Sequence, residues 1–188
     1  IYTASRRLEY AVTTASATAI AGWRDATAKY SAGHKFGGFT YICRFGIGRG
    51  VAADATRRIF NGFTSVVAAA TDVNPSTVND CLGVGADATD TNYQIMHRTG
   101  AGTVVKVDTG IPKSAVDNTE AYELAMFCAP NSTQVGFKFE RLSTGVVFEY
   151  TATSSIPAQA TLLAPRCNAS VGGTSSVIGI SLISLYIE

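Results

Sequence analysis

The residues that could do chemistry in this chain are few and scattered. General acid–base work on polysaccharides needs two carboxylates flanking one bond. Asp80, Asp87, Asp90, Asp108, Asp117, Glu120, Glu123, Glu140 and Glu149 are available, and none sits in a catalytic signature. Glu140 and Glu149 flank one expected hairpin and could face each other across it. Exposed strand carboxylates are more often simply solvated, so this pair is a weak enzyme signal. The only histidines are His34 and His97. His97 falls in an expected strand, where a satisfied structural histidine is the commoner case. No Gly-x-Ser-x-Gly elbow exists to expose a serine nucleophile. The reading is therefore non-enzymatic, with no catalytic residue assigned.

Metal and phosphate chemistry fare no better. Asp87-Ala88-Thr89-Asp90-Thr91-Asn92 spaces oxygen ligands closely enough to suggest calcium, but lacks the ligand count and terminal glutamate of an EF-hand loop. A side-chain-supported turn explains it as well. Gly46-Ile47-Gly48-Arg49-Gly50 follows a strand, yet no Lys-Ser/Thr follows it and the Rossmann spacing is missing. The four cysteines, Cys43, Cys81, Cys128 and Cys167, are singly and widely spaced in apolar stretches. Zinc sites use close ligand pairs. Buried free thiols acting as small hydrophobes fit better. No metal and no cofactor is expected.

What remains is binding. Aromatic rings stack on the apolar faces of sugars, and Trp23, Tyr30, Phe36, Phe63 and Tyr93 are candidates, each weighed against ordinary core packing. Adding polar groups in expected loops makes Trp23, Tyr30, His34, Arg49, Asp87, Asp90, Asn92 and Tyr93 the candidate ligand-binding set. These belong to the stretches 23–36, 46–54 and 87–93.

Bulk properties narrow the partners. The chain has 188 residues, enough for one domain with a sizeable core. It is 46% hydrophobic and only 15% charged. So few charges favour burial of further surface in an oligomer. The net charge of +1, without any basic run, argues against nucleic acid. No apolar stretch has the length of a membrane helix. The first residue is Ile1, which predicts a fragment or a processed product.

The elements that must position these residues read as strands. Phe39, Tyr41, Cys43 and Phe45 alternate with smaller or polar neighbours, the period of a half-buried strand. Further strands are expected over 57–63, 79–85, 93–98, 103–108, 122–128, 134–140, 146–150 and 177–188. Gly100 and Gly102 mark a hairpin, and Ser143-Thr144-Gly145 marks another. In the tail, Ile178, Ile180 and Leu182 share one parity, and Ile183, Leu185 and Ile187 the other. One residue of slip flips every side chain, so a bulge near Leu182–Ile183 is expected. One short helix is entertained at 65–70. Residues 1–22, rich in Ala and Thr, read as an extended arm or linker before a single domain over 23–188. The fold class is all-β: a jelly-roll-type antiparallel β-sandwich with an extended N-terminal arm.

An ordered series of short motifs adds a resemblance. It runs from Arg57-Arg58-Ile59-Phe60-Asn61-Gly62-Phe63 through Gly83-Val84-Gly85 and Asp90-Thr91-Asn92-Tyr93-Gln94-Ile95-Met96-His97. Gly100-Ala101-Gly102-Thr103, Ala121-Tyr122-Glu123-Leu124 and Ala129-Pro130-Asn131-Ser132 follow. Leu163-Ala164-Pro165-Arg166 and the ending Ile180 to Glu188 complete it. This order resembles the C-terminal domains of bacteriophage tail-fibre and related virion appendage proteins, over roughly residues 38–188. The resemblance implies a jelly roll at the distal end of a fibre, a homotrimer attached to upstream fibre or virion proteins, and contact with host-surface polysaccharide or lipopolysaccharide. It implies a location in the virion, after synthesis in the host cytoplasm, and no enzymatic role. A structural virion part and a polysaccharide-degrading enzyme are the alternatives.

Overall fold

The computed structural model describes residues 5–32, 37–48, 56–113 and 120–188. Two six-stranded antiparallel sheets pack face to face. Sheet A runs β1 (Leu8–Ser16), β12 (Ser176–Ile187), β3 (Phe39–Ile47), β8 (Tyr122–Cys128), β9 (Val135–Arg141), β10 (Val146–Ala152). Sheet B runs β2 (Ile20–Arg24), β11 (Ala164–Ser170), β4 (Arg58–Thr64), β5 (Leu82–Ala86), β6 (Asn92–His97), β7 (Val105–Pro112). This is the jelly-roll-type antiparallel sandwich that the alternating pattern predicts. A single 3-10 turn, Pro75–Thr77, is the helical element among the described residues.

The core lies where the inward rows of the two sheets meet. Tyr41, Cys43, Phe45 and Ile47 of β3 are fully buried, as the period of two requires. Tyr93 of sheet B enters a cluster with Phe45, Tyr122 and Phe139 of sheet A, at centroid distances of 4.9–6.4 Å. Such tilted and edge-on contacts suit aromatic quadrupoles. His97 is buried as well. It stacks on Tyr150 at 5.7 Å, and its ring nitrogens lie 3.2 Å from the Tyr150 hydroxyl and 3.4 Å from the Ser155 carbonyl oxygen. Burial holds its pKa below the ordinary histidine value, against the opposing pull of the Ser155 and Ser154 carbonyls.

Three sequence expectations meet the structure differently. The tail bulge is present: Leu182 pairs with Phe45 and Ser184 with Arg44, so Ile183 is the extra residue and Leu185 and Ile187 return to the core parity. The N-terminal arm is absent over the described residues. Leu8–Ser16 is an edge strand of sheet A and Ile20–Arg24 an edge strand of sheet B. Tyr10 and Val12 pair with Ile180 and Ile178 and pack against the core, which offsets the weak strand propensity of the alanines around them. The helix at 65–70 is also absent. That segment crosses the outer face of sheet B, and the carbonyls of Val67 and Ala68 accept hydrogen bonds from Arg24 and Arg166 instead of from helical amides.

Candidate functional site

The two outer faces of the sandwich have different fates. On sheet B, the long β4–β5 connection lies over the strands. Arg58 ties it down through an ion pair to Asp72 (2.6 Å) and a hydrogen bond to Asn74 (2.7 Å). Beneath it, Phe60, Cys81 and Met96 form a second small core with Val104 packed against it. The outer face of sheet A carries no such cover among the described residues. Phe127 there is 58% exposed on the central strand β8, and Tyr186 is 51% exposed. Phe127 and Tyr186 are thus large side chains left open to solvent on this face, which makes it the candidate surface for a ligand.

Register defines the geometry of this face. One cross-strand row reads Thr40, Phe127, Gly136, Thr151. The next reads Tyr186, Ile42, Ala125, Lys138, Glu149. A third holds Ser184, Arg44, Glu123, Glu140 and Val147. Gly136 and Ala125 are the small residues that keep the surface beside Phe127 low, and the result is a shallow groove of about 330 Å³. Phe127 and Tyr186 stand two strands and one register step apart, roughly 12 Å from strand spacings. Aromatic rings at that separation, with threonine hydroxyls and charged groups between and beyond them, form a platform for an extended polar ligand with apolar faces.

The charges on this face neutralise one another. Arg44 holds Glu123 at 2.6 Å, and Lys138 holds Glu140 at 3.0 Å. Glu123 and Glu140 are direct cross-strand partners, an unfavourable pairing that the two cations offset. Glu149 stands opposite Lys138. Glu140 and Glu149 do share the outer face, each beside the same lysine. None of the three carboxylates is set apart in an apolar pocket as a general acid would be.

The structure disperses the residues that sequence reasoning had singled out. Trp23 and Tyr30 lie at the β2 edge of sheet B, half-buried against the core, with Tyr30 packed on Phe63 at 5.1 Å. Asp87, Asp90 and Asn92 lie near the opposite edge of sheet B. Tyr93 is fully buried and unable to reach a ligand, because its position in β6 points into the aromatic cluster. His34 and Arg49 lie outside the described residues.

The Asp87–Asn92 segment is occupied from within. The Lys106 ammonium sits 2.8 Å from Asp87 Oδ2 and 2.6 Å from Asp90 Oδ2. Asp90 also accepts the Asp87 amide at 2.8 Å, and Asn92 donates to Asp108 at 3.0 Å. Burial works to raise the Asp87 pKa, but hydrogen bonds from Lys106 and Ser76 outweigh it and hold it below the usual carboxylate value. A protein ammonium thus takes the place a metal ion would want. Among the described residues, no group of three or more His, Cys, Asp or Glu is arranged to hold a metal.

Phe127 is absent from the sequence-derived candidate set, yet it is out of phase with the buried Tyr122, Leu124, Met126 and Cys128, a parity visible in the sequence.

By sequence, no family profile and no curated protein matches the chain. Its fold is similar to known structures. Peanut lectin aligns at a TM-score of 0.54 with 10% identity, over 97% of this chain and 85% of that one. The seed lectin of Lotus tetragonolobus aligns at 0.54 with 7% identity, over 97% of both chains. Family 7 alginate lyase A1-II', in complex with product, aligns at 0.53 with 9% identity, over 97% of this chain and 79% of that one. At these identities the likeness is one of fold.

Proposed function

We propose that this chain is a non-enzymatic glycan-binding domain whose ligand lies along the outer face of sheet A. The observation that carries the reading is the bare sheet face itself: Phe127 stands 58% exposed over a groove while the opposite face is covered by its own loop. Two lectins of the same fold support a carbohydrate as the ligand. The resemblance of the motif order to tail-fibre and appendage proteins supports the setting: a virion attachment domain at the tip of a phage fibre, trimeric, joined to upstream virion proteins and contacting host polysaccharide or lipopolysaccharide. A glycan array probed with the purified protein tests it. Binding to a bacterial surface polysaccharide is expected, and binding to none refutes it. Light scattering is expected to give a trimer.

A second reading, a polysaccharide-degrading enzyme, draws on Glu123, Glu140 and Glu149 sharing that face and on the alginate lyase of the same fold. A reducing-end assay on the bound polysaccharide decides between them. No product is expected. Product formation that disappears in the Glu140→Ala/Glu149→Ala double variant would establish the enzyme instead.

A further inference from the structure

Arg24 of β2 and Arg166 of β11 are direct cross-strand partners on the outer face of sheet B. Like charges in that position repel. Arg166 is only 4% exposed, and burial and the neighbouring Arg24 both lower its pKa. Buried guanidinium groups are ordinarily matched by a carboxylate, because an uncompensated buried charge is costly. Neither arginine has an acidic partner among the described residues. Arg24 donates to the Val67 carbonyl at 2.5 Å and Arg166 to the Ala68 carbonyl at 2.6 Å. These bonds use one N–H of the five that each guanidinium carries. The nearest loop acid in sequence, Asp72, is already committed to Arg58 and to the amides of Gly172 and Gly173.

Space for a counter-ion is present beside them. A groove of about 240 Å³ opens between the β2 edge and the covering loop, lined by Gly22, Arg24, Ala69, Ala70, Arg166 and Asn168 among others. A second cavity of about 200 Å³ shares Ala69, Ala70, Arg166 and Asn168 as its wall. No acidic side chain lines either one. The Asn168 amide makes no hydrogen bond to a described residue and adds a neutral donor. Gly22 lets β2 lie close against β11 beside this groove, since a Cβ there would stand 2.3 Å from the Cys167 carbonyl oxygen and 2.7 Å from the Asn168 Cβ.

We propose that Arg24, Arg166 and Asn168 form an oxyanion-binding site, taking a phosphate, sulfate or carboxylate group. The fork of guanidinium donors suits such groups. The oxyanion supplies the missing negative charge and relieves the repulsion between the two arginines. The group arrives either as a free ion or as a substituent on an acidic polysaccharide. This site faces away from the sheet A groove, so either can fail without the other.

Calorimetric titration with inorganic phosphate, sulfate and glucuronate, at constant ionic strength against chloride, tests the proposal. One saturable site for at least one of the three is expected. Phosphate or sulfate binding alone points to a tetrahedral group, and glucuronate binding alone to an acidic sugar. Arg24→Gln is expected to weaken binding about tenfold or more, as loss of a charged hydrogen-bond donor does. Arg24 is exposed, so this variant keeps the fold even where Arg166→Gln does not. No saturable binding of any of the three, or undiminished binding by Arg24→Gln, overturns the proposal.

Discussion

Replacing Phe127 with alanine separates binding from folding. The side chain is 58% exposed, so folding gains little from it, and an exposed substitution of this kind shifts stability by about 0.5 kcal/mol or less. Binding is different. A phenylalanine presents roughly 150–250 Å² in all. The exposed 58% is then about 100 Å², and a sugar ring resting on one side covers roughly half of it. At about 25 cal/mol per Å² that contact is worth roughly 1.3 kcal/mol, close to tenfold in affinity. Phe127→Ala is therefore expected to bind the array-selected polysaccharide about ten times more weakly, by calorimetry or affinity electrophoresis, with an unchanged melting temperature. Binding within twofold of the parent, in a variant that melts normally, would remove this face as the glycan site.

Three further outcomes follow from the buried polar groups. Lys106→Met strands Asp87 and Asp90, whose side chains are 8% and 15% exposed, so a loss of about 2–3 kcal/mol is expected. For a domain of this size that is a drop of roughly 4–12 °C in a thermal melt, and no drop would mean the pair is solvated. His97 is held neutral in the folded state, so the unfolded chain binds the extra proton first. Stability is then complete above the unfolded value of about 6.5 and declines as pH falls below it. Melting temperatures from pH 7.5 to 5 should show that decline, and His97→Gln should flatten it. Burial pushes the thiols of Cys43 and Cys81 up to about 11 and about 12. Native protein should resist thiol reagents at pH 8, and rapid labelling before unfolding would contradict the buried placement.

Much of the fold was legible because it is written in periods of two. Tyr122, Leu124, Met126 and Cys128 alternate into the core as their spacing requires, and the parity slip at Ile183 is a bulge. The edge strands β1 and β2 were not legible. Their residues are small and weakly patterned, and they become strands because Ile178 and Ile180 on one side and Cys167 and Ala169 on the other give them partners. Strand β11 was equally hidden behind Pro165, which it tolerates near its end.

The candidate site shows the same division. Local pattern determined that Phe127 points opposite to its core-facing neighbours, and composition determined that the chain has little charge to spare. Only the tertiary structure decided that one sheet face is covered by the 65–81 connection and that the other carries no such cover among the described residues. It also decided that Asp87 and Asp90 answer to Lys106, that Tyr93 belongs to the core, and that Arg24 and Arg166 meet with no acidic partner among the described residues. The physical reason is separation along the chain. Alternation is set by neighbours two residues apart, whereas which face is covered, and which charge meets which, depends on strands brought together from far apart along the chain, as Leu8 and Leu182 or Arg24 and Arg166 are.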